Sequence, residues 1–251
     1  MIGIFDSGLG GLTALCEARR LLPQTDIVYF GDTARCPYGV KSEKTLLRYT
    51  EEAISLLESY GASRILAACG TVSSVALPHF RKSASAHLYG VCEEGLSHIS
   101  GESIAVIATP ATVRSHAFRD AIRARLPKAR VFETACPLFV TMVENGLSDP
   151  RDPVVLELVS RSLAPIKESP PDTLVLGCTH FPLLADAIKA VLPDTLLYDV
   201  GKEAAKALLP ETDRERGKTL ILLSDLDDGY EATVRRIIGS STDAEIRAVS
   251  I

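Results

Sequence analysis

Nine short apolar runs punctuate the chain, most bounded by Gly, Asp or Pro: "IGIF", "DIVYFGD", "RILAAC", "HLYGV", "IAVIAT", "ARVFETA", "TLVLGC", "TLLYDV" and "TLILLSD". Their length and their Val, Ile, Leu, Tyr and Phe content predict strands. Helical periodicity fills the intervals. It is clearest over residues 41–59, where Ser42 is the expected N-cap and Leu46, Leu47, Thr50, Ala53, Ile54 and Leu57 recur on one face. Further helices are expected at "GGLTALCEARRLL", "VRSHAFRDAIRARL", "DPVVLELVSRSLAPI", "PLLADAIKAVL" and "GYEATVRRIIG". Strands alternating with helices predict an α/β fold whose mainly parallel sheets are covered by helices on both faces.

The order of elements repeats. "IGIFDSG" precedes "ILAACGT" by nearly the same distance that "IAVIATPAT" precedes "LVLGCTH". Two similar halves are therefore expected, one over residues 1–92 and one over 93–201. Residues 202–251 read as helix, strand, helix and tail, returning to complete the first sheet. Open parallel sheets place ligands beyond the carboxyl ends of their strands. Cys69, Cys178, Thr109, and Asp6 with Ser7 all follow strands at that end. If the halves face each other, Cys69 and Cys178 approach one cleft from opposite sides.

Composition narrows the partners. At 251 residues, 46% hydrophobic and 24% charged, the chain has the balance of a globular protein with a substantial core. A formal charge of -5 argues against nucleic acid and anionic membrane and favours a small molecule. No apolar run approaches the ~18 residues of a membrane span, and no basic leader precedes "IGIF", so a cytoplasmic location is expected. Six cysteines without a CxxC pair and five histidines without HxxxH give no sequence signature of a metal site. Neither GxxxxGK[ST] nor the GxSxG elbow occurs.

"DSGLGG" looks like a dinucleotide-binding turn, but Thr13 stands where the third glycine belongs, and Asp6 would repel a pyrophosphate. The turn suits a smaller anion such as a carboxylate. Free cysteines are mostly packing, and Cys16, Cys36, Cys92 and Cys136 are read that way. Cys69 and Cys178 differ, because each ends a strand beside a threonine, Thr71 or Thr179, and His180 adjoins the second. Two facing thiols and no cofactor suit the transfer of a proton from one face of a carbon to the other, with a base on one side and an acid on the other. Asp6 and His180 are the candidates to tune the thiols.

"GIFDSGLGGLT", "YFGDTARCPYG", "ACPLFVTMVENG" and "LVLGCTHFPLL", in this order and spacing, resemble the glutamate racemases of the cofactor-independent aspartate/glutamate racemase superfamily, over nearly the whole chain. The resemblance implies two pseudo-symmetric α/β domains (1–92 with 202–251, and 93–201) and an active site in the cleft between them. It also implies cofactor-free racemisation of glutamate for peptidoglycan synthesis, and a homodimer. By analogy Cys69 deprotonates D-glutamate and Cys178 L-glutamate, assisted by Asp6, Glu144 and His180. Ser7, Pro37, Tyr38, Gly39, Gly70, Thr71, Thr109, Thr112 and Thr179 match the substrate-contacting positions. One departure stands out: the family usually reads Cys-Asn-Thr where this chain has Cys69-Gly70-Thr71. Glycine offers only its backbone to a zwitterion. That keeps open a racemase for aspartate or another amino acid, a related isomerase or decarboxylase, and a noncatalytic carboxylate-binding protein.

Overall fold

The structure, a computed structural model, describes residues 1–208, 217–239 and 243–251. The chain opens with β1 (Ile2–Asp6), α1 (Leu12–Leu21), β2 (Ile27–Gly31), α2 (Glu43–Ser59), β3 (Arg64–Ala67) and β4 (His87–Gly90). It continues through β5 (Ser103–Ala108), α3 (Pro110–Ser115), α4 (Ala117–Arg125), β6 (Arg130–Ala135), α5 (Phe139–Glu144), α6 (Pro153–Ser162), α7 (Ala164–Lys167), β7 (Thr173–Leu176), α8 (Ala185–Val191) and β8 (Leu196–Asp199). Then come α9 (Val200–Ala205), β9 (Thr219–Leu223), α10 (Asp228–Ile238) and β10 (Ala244–Ala248).

Two sheets form, ordered β10-β9-β2-β1-β3-β4 and β6-β5-β7-β8, and every pairing is parallel. Within the larger sheet, β2-β1-β3-β4 has the same connectivity as the whole smaller sheet, so the repeat in element order is a repeat in topology. β3 and β7 are equivalent strands, and each delivers one of the two candidate thiols. Both sheets reverse their winding at the equivalent places, β1/β3 and β5/β7, where parallel sheets open a crevice.

Alternation along the strands separates three apolar cores. Ile2 and Ile4 face a cluster shared with Ile104, Val106, Phe118 and Val200, so one core joins the two sheets. Phe5, Val28 and Phe30 face the opposite side, against Leu46, Ile54 and Leu57 of α2. Ala105, Ile107, Leu174 and Leu176 pack under Phe139, Val155, Val159 and Phe181. Each fully buried Leu, Ile or Phe adds about 1.5–3 kcal/mol relative to exposure. Local signals set the helix starts: the Ser42 hydroxyl accepts the Thr45 N–H, Asp152 caps α6 ahead of Pro153, and Asp227 accepts the Tyr230 N–H.

Three elements differ from expectation. The helix expected across "VRSHAFRDAIRARL" is broken at His116, whose φ of 56° is left-handed and whose Nδ1 lies 2.6 Å from Glu133 Oε2. The break frees α3 to aim its own N-terminus, capped by Thr109, at the strand ends. The "DPVVLELVSRSLAPI" helix divides at Leu163, because Pro165 supplies no N–H and clashes with the preceding turn. The tail forms β10, an edge strand paired with β9 from Ala244↔Thr219 onward. No described helix is long and apolar enough to cross a membrane.

Candidate active site

The carboxyl ends of β1, β3, β5 and β7 converge. Asp6, fully buried at the end of β1, accepts the Gly8 and Gly11 N–H groups on Oδ2 (3.1 and 3.0 Å) and the Thr179 hydroxyl on Oδ1 (3.0 Å). Charge-assisted bonds of this kind contribute about 1.5–3 kcal/mol each. Asp6 thus closes the glycine-rich turn on itself and ties it to the loop after β7. The Gly8 and Gly11 N–H donors that a pyrophosphate would need are already engaged.

Cys69, buried, directs Sγ at Ser7 Oγ (3.5 Å). Burial, and next the charge of Asp6, push this thiol up to about 12, against the opposing pull of the Val72 N–H and the Ser7 hydroxyl. The chain then enters a π-helical turn, Val72–Ala76, an irregularity frequent at functional sites. Gly70 lies hard against the other half: a Cβ there would sit 2.1 Å from the Gly177 carbonyl oxygen, and only glycine permits that approach. The usual asparagine has no room in this arrangement.

Three buried threonine hydroxyls form a chain across the halves, Thr71 to Thr109 at 2.9 Å and Thr109 to Thr112 at 3.0 Å. Gly39 packs against Thr109, and the buried Tyr38 hydroxyl donates to Asp32. Pro37, half-buried, follows a cis peptide bond from Cys36.

Cys178, also buried, has a different companion. Its Sγ lies 3.9 Å from His180 Nδ1, and His180 Nε2 bonds to Glu144 Oε1. Burial opposes a charged imidazole, but the bonds to Cys178 and Glu144 and their charges outweigh it and hold His180 well above its ordinary pKa. Burial likewise raises the Glu144 carboxyl, and the His180 bond and charge more than offset this and lower it. Glu144, at the end of α5 with its side chain 21% exposed, is held against His180.

The structure therefore gathers Cys69, Cys178, Asp6, His180, Glu144, Ser7, Gly70, Thr71, Thr109, Thr112 and Thr179 at the facing strand ends, with Tyr38 and Gly39 against Thr109. Cys16, Cys92 and Cys136 pack in or against the cores. Cys36 packs against the core that holds Phe139 and Phe181, as expected, and its Sγ also reaches Glu144 Oε1 at 3.8 Å. Sequence spacing carries no signal for that contact. An open cavity of about 1030 Å³ lies behind, between α1, α5 and α10, and is lined by His180 and Glu144 but by neither Cys69 nor Cys178. The candidate reacting space is where the thiols and hydroxyls converge, and this cavity lies beside it.

Residues 11–208 match the family model described as Asp/Glu/Hydantoin racemase. A glutamate racemase of Thermus thermophilus is 41% identical over 260 aligned positions covering 100% of this chain and 96% of that protein, and one of Aquifex aeolicus is 36% identical over 98% and 96%. The crystal structure of glutamate racemase from Francisella tularensis in complex with D-glutamate superposes with a TM-score of 0.90 at 30% identity, over 99% of this chain and 97% of that one.

Proposed function

Because the chain belongs to the Asp/Glu/Hydantoin racemase family, we propose that it interconverts L- and D-glutamate without a cofactor, using Cys69 and Cys178 on opposite faces of the α-carbon. The observation that carries this reading is the pair of buried thiols on equivalent strand ends, one beside a hydroxyl and one beside a histidine. In the L-to-D direction, the Cys178 thiol first gives its proton to His180 Nδ1, and the resulting thiolate takes the α-hydrogen. Cys69, kept protonated by burial, delivers its proton to the other face. One proton leaves the carbon and one arrives, so Cys178 ends as thiol and Cys69 as thiolate, ready for the reverse passage. Asp6 is a positioning residue, holding the turn and Thr179.

The hydroxyls of Ser7, Thr71, Thr109, Thr112 and Thr179, with the backbone around Gly39 and Gly70, receive the substrate's ammonium and carboxylate groups. They stabilise the charge that spreads into the carboxylate as the α-carbon ionises. Residues 1–92 with 202–251 form the body carrying Cys69, and residues 93–201 form the body carrying Cys178. The enzyme works in the cytoplasm, as a homodimer, and its D-glutamate serves peptidoglycan synthesis; family membership supports these three points.

The test is incubation with L-glutamate in deuterated water without added cofactor, followed by circular dichroism and proton NMR. Decay of the optical signal with deuterium entering the α-position is expected. Absence of exchange with either glutamate enantiomer overturns the glutamate reading. Exchange with aspartate alone would transfer the mechanism to that substrate and tie the change to Gly70.

A further inference from the structure

We propose that Cys36, Glu144 and His180 form a binding site for a borderline-soft divalent cation, zinc foremost, whose occupation stops turnover. Among the described residues, these three bring one donor atom each, a thiol sulfur, a carboxylate oxygen and an imidazole nitrogen, within 4.8 Å of one another. The donor set is the one zinc prefers: sulfur, nitrogen and oxygen at about 2.3, 2.0 and 2.1 Å from the metal. A tetrahedral ion with those bond lengths separates sulfur from oxygen by about 3.5 Å, close to the 3.8 Å between Cys36 Sγ and Glu144 Oε1. His180 Nε2 and Glu144 Oε1, now in a direct hydrogen bond, must part to about 3.3 Å to admit the ion.

Two further observations supply room and access. A Cβ on Gly8 would lie 3.0 Å from Glu144 Oε1 and 3.1 Å from Cys36 Sγ. Glycine at this position therefore leaves open the space bordering both donors. The large cavity behind the site is lined by Glu144 and His180, so an ion reaches them without passing the thiols of the reacting pair. Three ligands leave a fourth position for water.

Binding releases one proton to solvent, that of the Cys36 thiol, while the proton that His180 shares with Glu144 moves from Nε2 to Nδ1 and leaves Nε2 free for the metal. A carboxylate and a thiolate then neutralise the dication, and no electron moves. His180 keeps its Nδ1 facing Cys178 but carries the metal on Nε2. With its one proton on Nδ1, it can then no longer take the proton of Cys178. Occupation stops racemisation in both directions, since both use the same pair. The binding part of this inference stands independently of which amino acid is the substrate.

The purified protein is titrated with cobalt(II) as a spectroscopic stand-in and assayed with zinc(II), each variant normalised to its own metal-free rate. Expected are a stoichiometric thiolate-to-cobalt charge-transfer band and inhibition by zinc that a chelator reverses. In Cys36→Ser the band vanishes and half-inhibition moves to a zinc concentration roughly tenfold or more higher. Cys36→Val serves the same purpose if the serine variant folds poorly. Cys69→Ala retains the band, which excludes that thiol as the ligand. A band that persists in both Cys36 variants, or no band in the unmodified protein, overturns the site. Binding without inhibition overturns the switch.

Discussion

The loops after β3 and β7 occupy equivalent places in two sheets of the same connectivity, yet they surround their cysteines differently. Cys69 meets a serine hydroxyl, and burial and then the repulsive charge of Asp6 keep its proton on against the pull of that hydroxyl. Cys178 meets an imidazole whose far nitrogen is anchored by a carboxylate. Fold symmetry sets where the thiols stand, and local chemistry sets what each does at rest. One thiol is held protonated and the other has an imidazole beside it, the division that the proposed proton transfer through a carbon requires.

The comparison breaks most sharply by deletion. Cys69→Ala and Cys178→Ala are each expected to lower racemisation by about 10²–10⁴-fold or more, the range of general acid–base contributions, as read by circular dichroism. Near-normal turnover in either would refute two-base transfer. Alkylation sharpens the same contrast. With iodoacetamide near neutral pH, mass spectrometry is expected to find Cys178 modified well before Cys69, whose thiol is pushed up to about 12. Equal rates, or faster modification of Cys69, would remove the asymmetry.

His180→Asn, with a smaller effect, is expected to reduce kcat by roughly 10²-fold and to slow alkylation of Cys178 but not of Cys69. A uniform loss at both thiols would mean that His180 supports the fold and not its neighbour. Gly70→Ala probes the contact between the loops. Its Cβ meets backbone and not a flexible side chain, so the strand ends must separate at a cost of about 1–3 kcal/mol. A lower Tm with a higher KM is expected, and an unchanged KM would show that the close approach does not shape the substrate site.

Much of this was legible because two signals reinforced each other. Runs such as "IAVIAT" are apolar on both faces and read as strands wherever the sheet buries them. Cys69 and Cys178 stood out because each terminates such a run. β10 was not legible: "AEIRA" lies at a sheet edge, where Glu245, Arg247 and Ala248 are exposed. The break at His116 depends on Glu133, a partner on a neighbouring strand that periodicity along a helix does not register. Asp6 was recognised as a site residue and as incompatible with a pyrophosphate, but its three hydrogen bonds required the fold. Its effect on Cys69 is to hold the proton on the thiol. The packing of Cys36 was legible but its polar contacts were not, since Glu144 and His180 are distant in the chain and meet it only through the docking of the two halves.

The smallest effect tests the anchor beneath Cys178 through stability. His180 is held above its ordinary 6.5, so its contribution is complete below that value and is lost as pH rises through the raised one. Glu144 is held below its ordinary 4.5, so its contribution is complete above that value and is lost as pH falls through the lowered one. Both are fully present only between about 4.5 and 6.5. In Glu144→Gln the deficit in Tm relative to the unmodified protein should be widest in that window, about 2–4 °C for each 1 kcal/mol lost. It should shrink toward acid, where the carboxyl of the parent is itself protonated, and shrink again toward alkaline pH as His180 loses its charge. Because Cys69 lies outside this pair, Cys69→Ala should leave the shape of that profile unchanged. A deficit that is flat with pH would mean that Glu144 contributes packing and not charge, and would remove the electrostatic half of the contrast between the two loops.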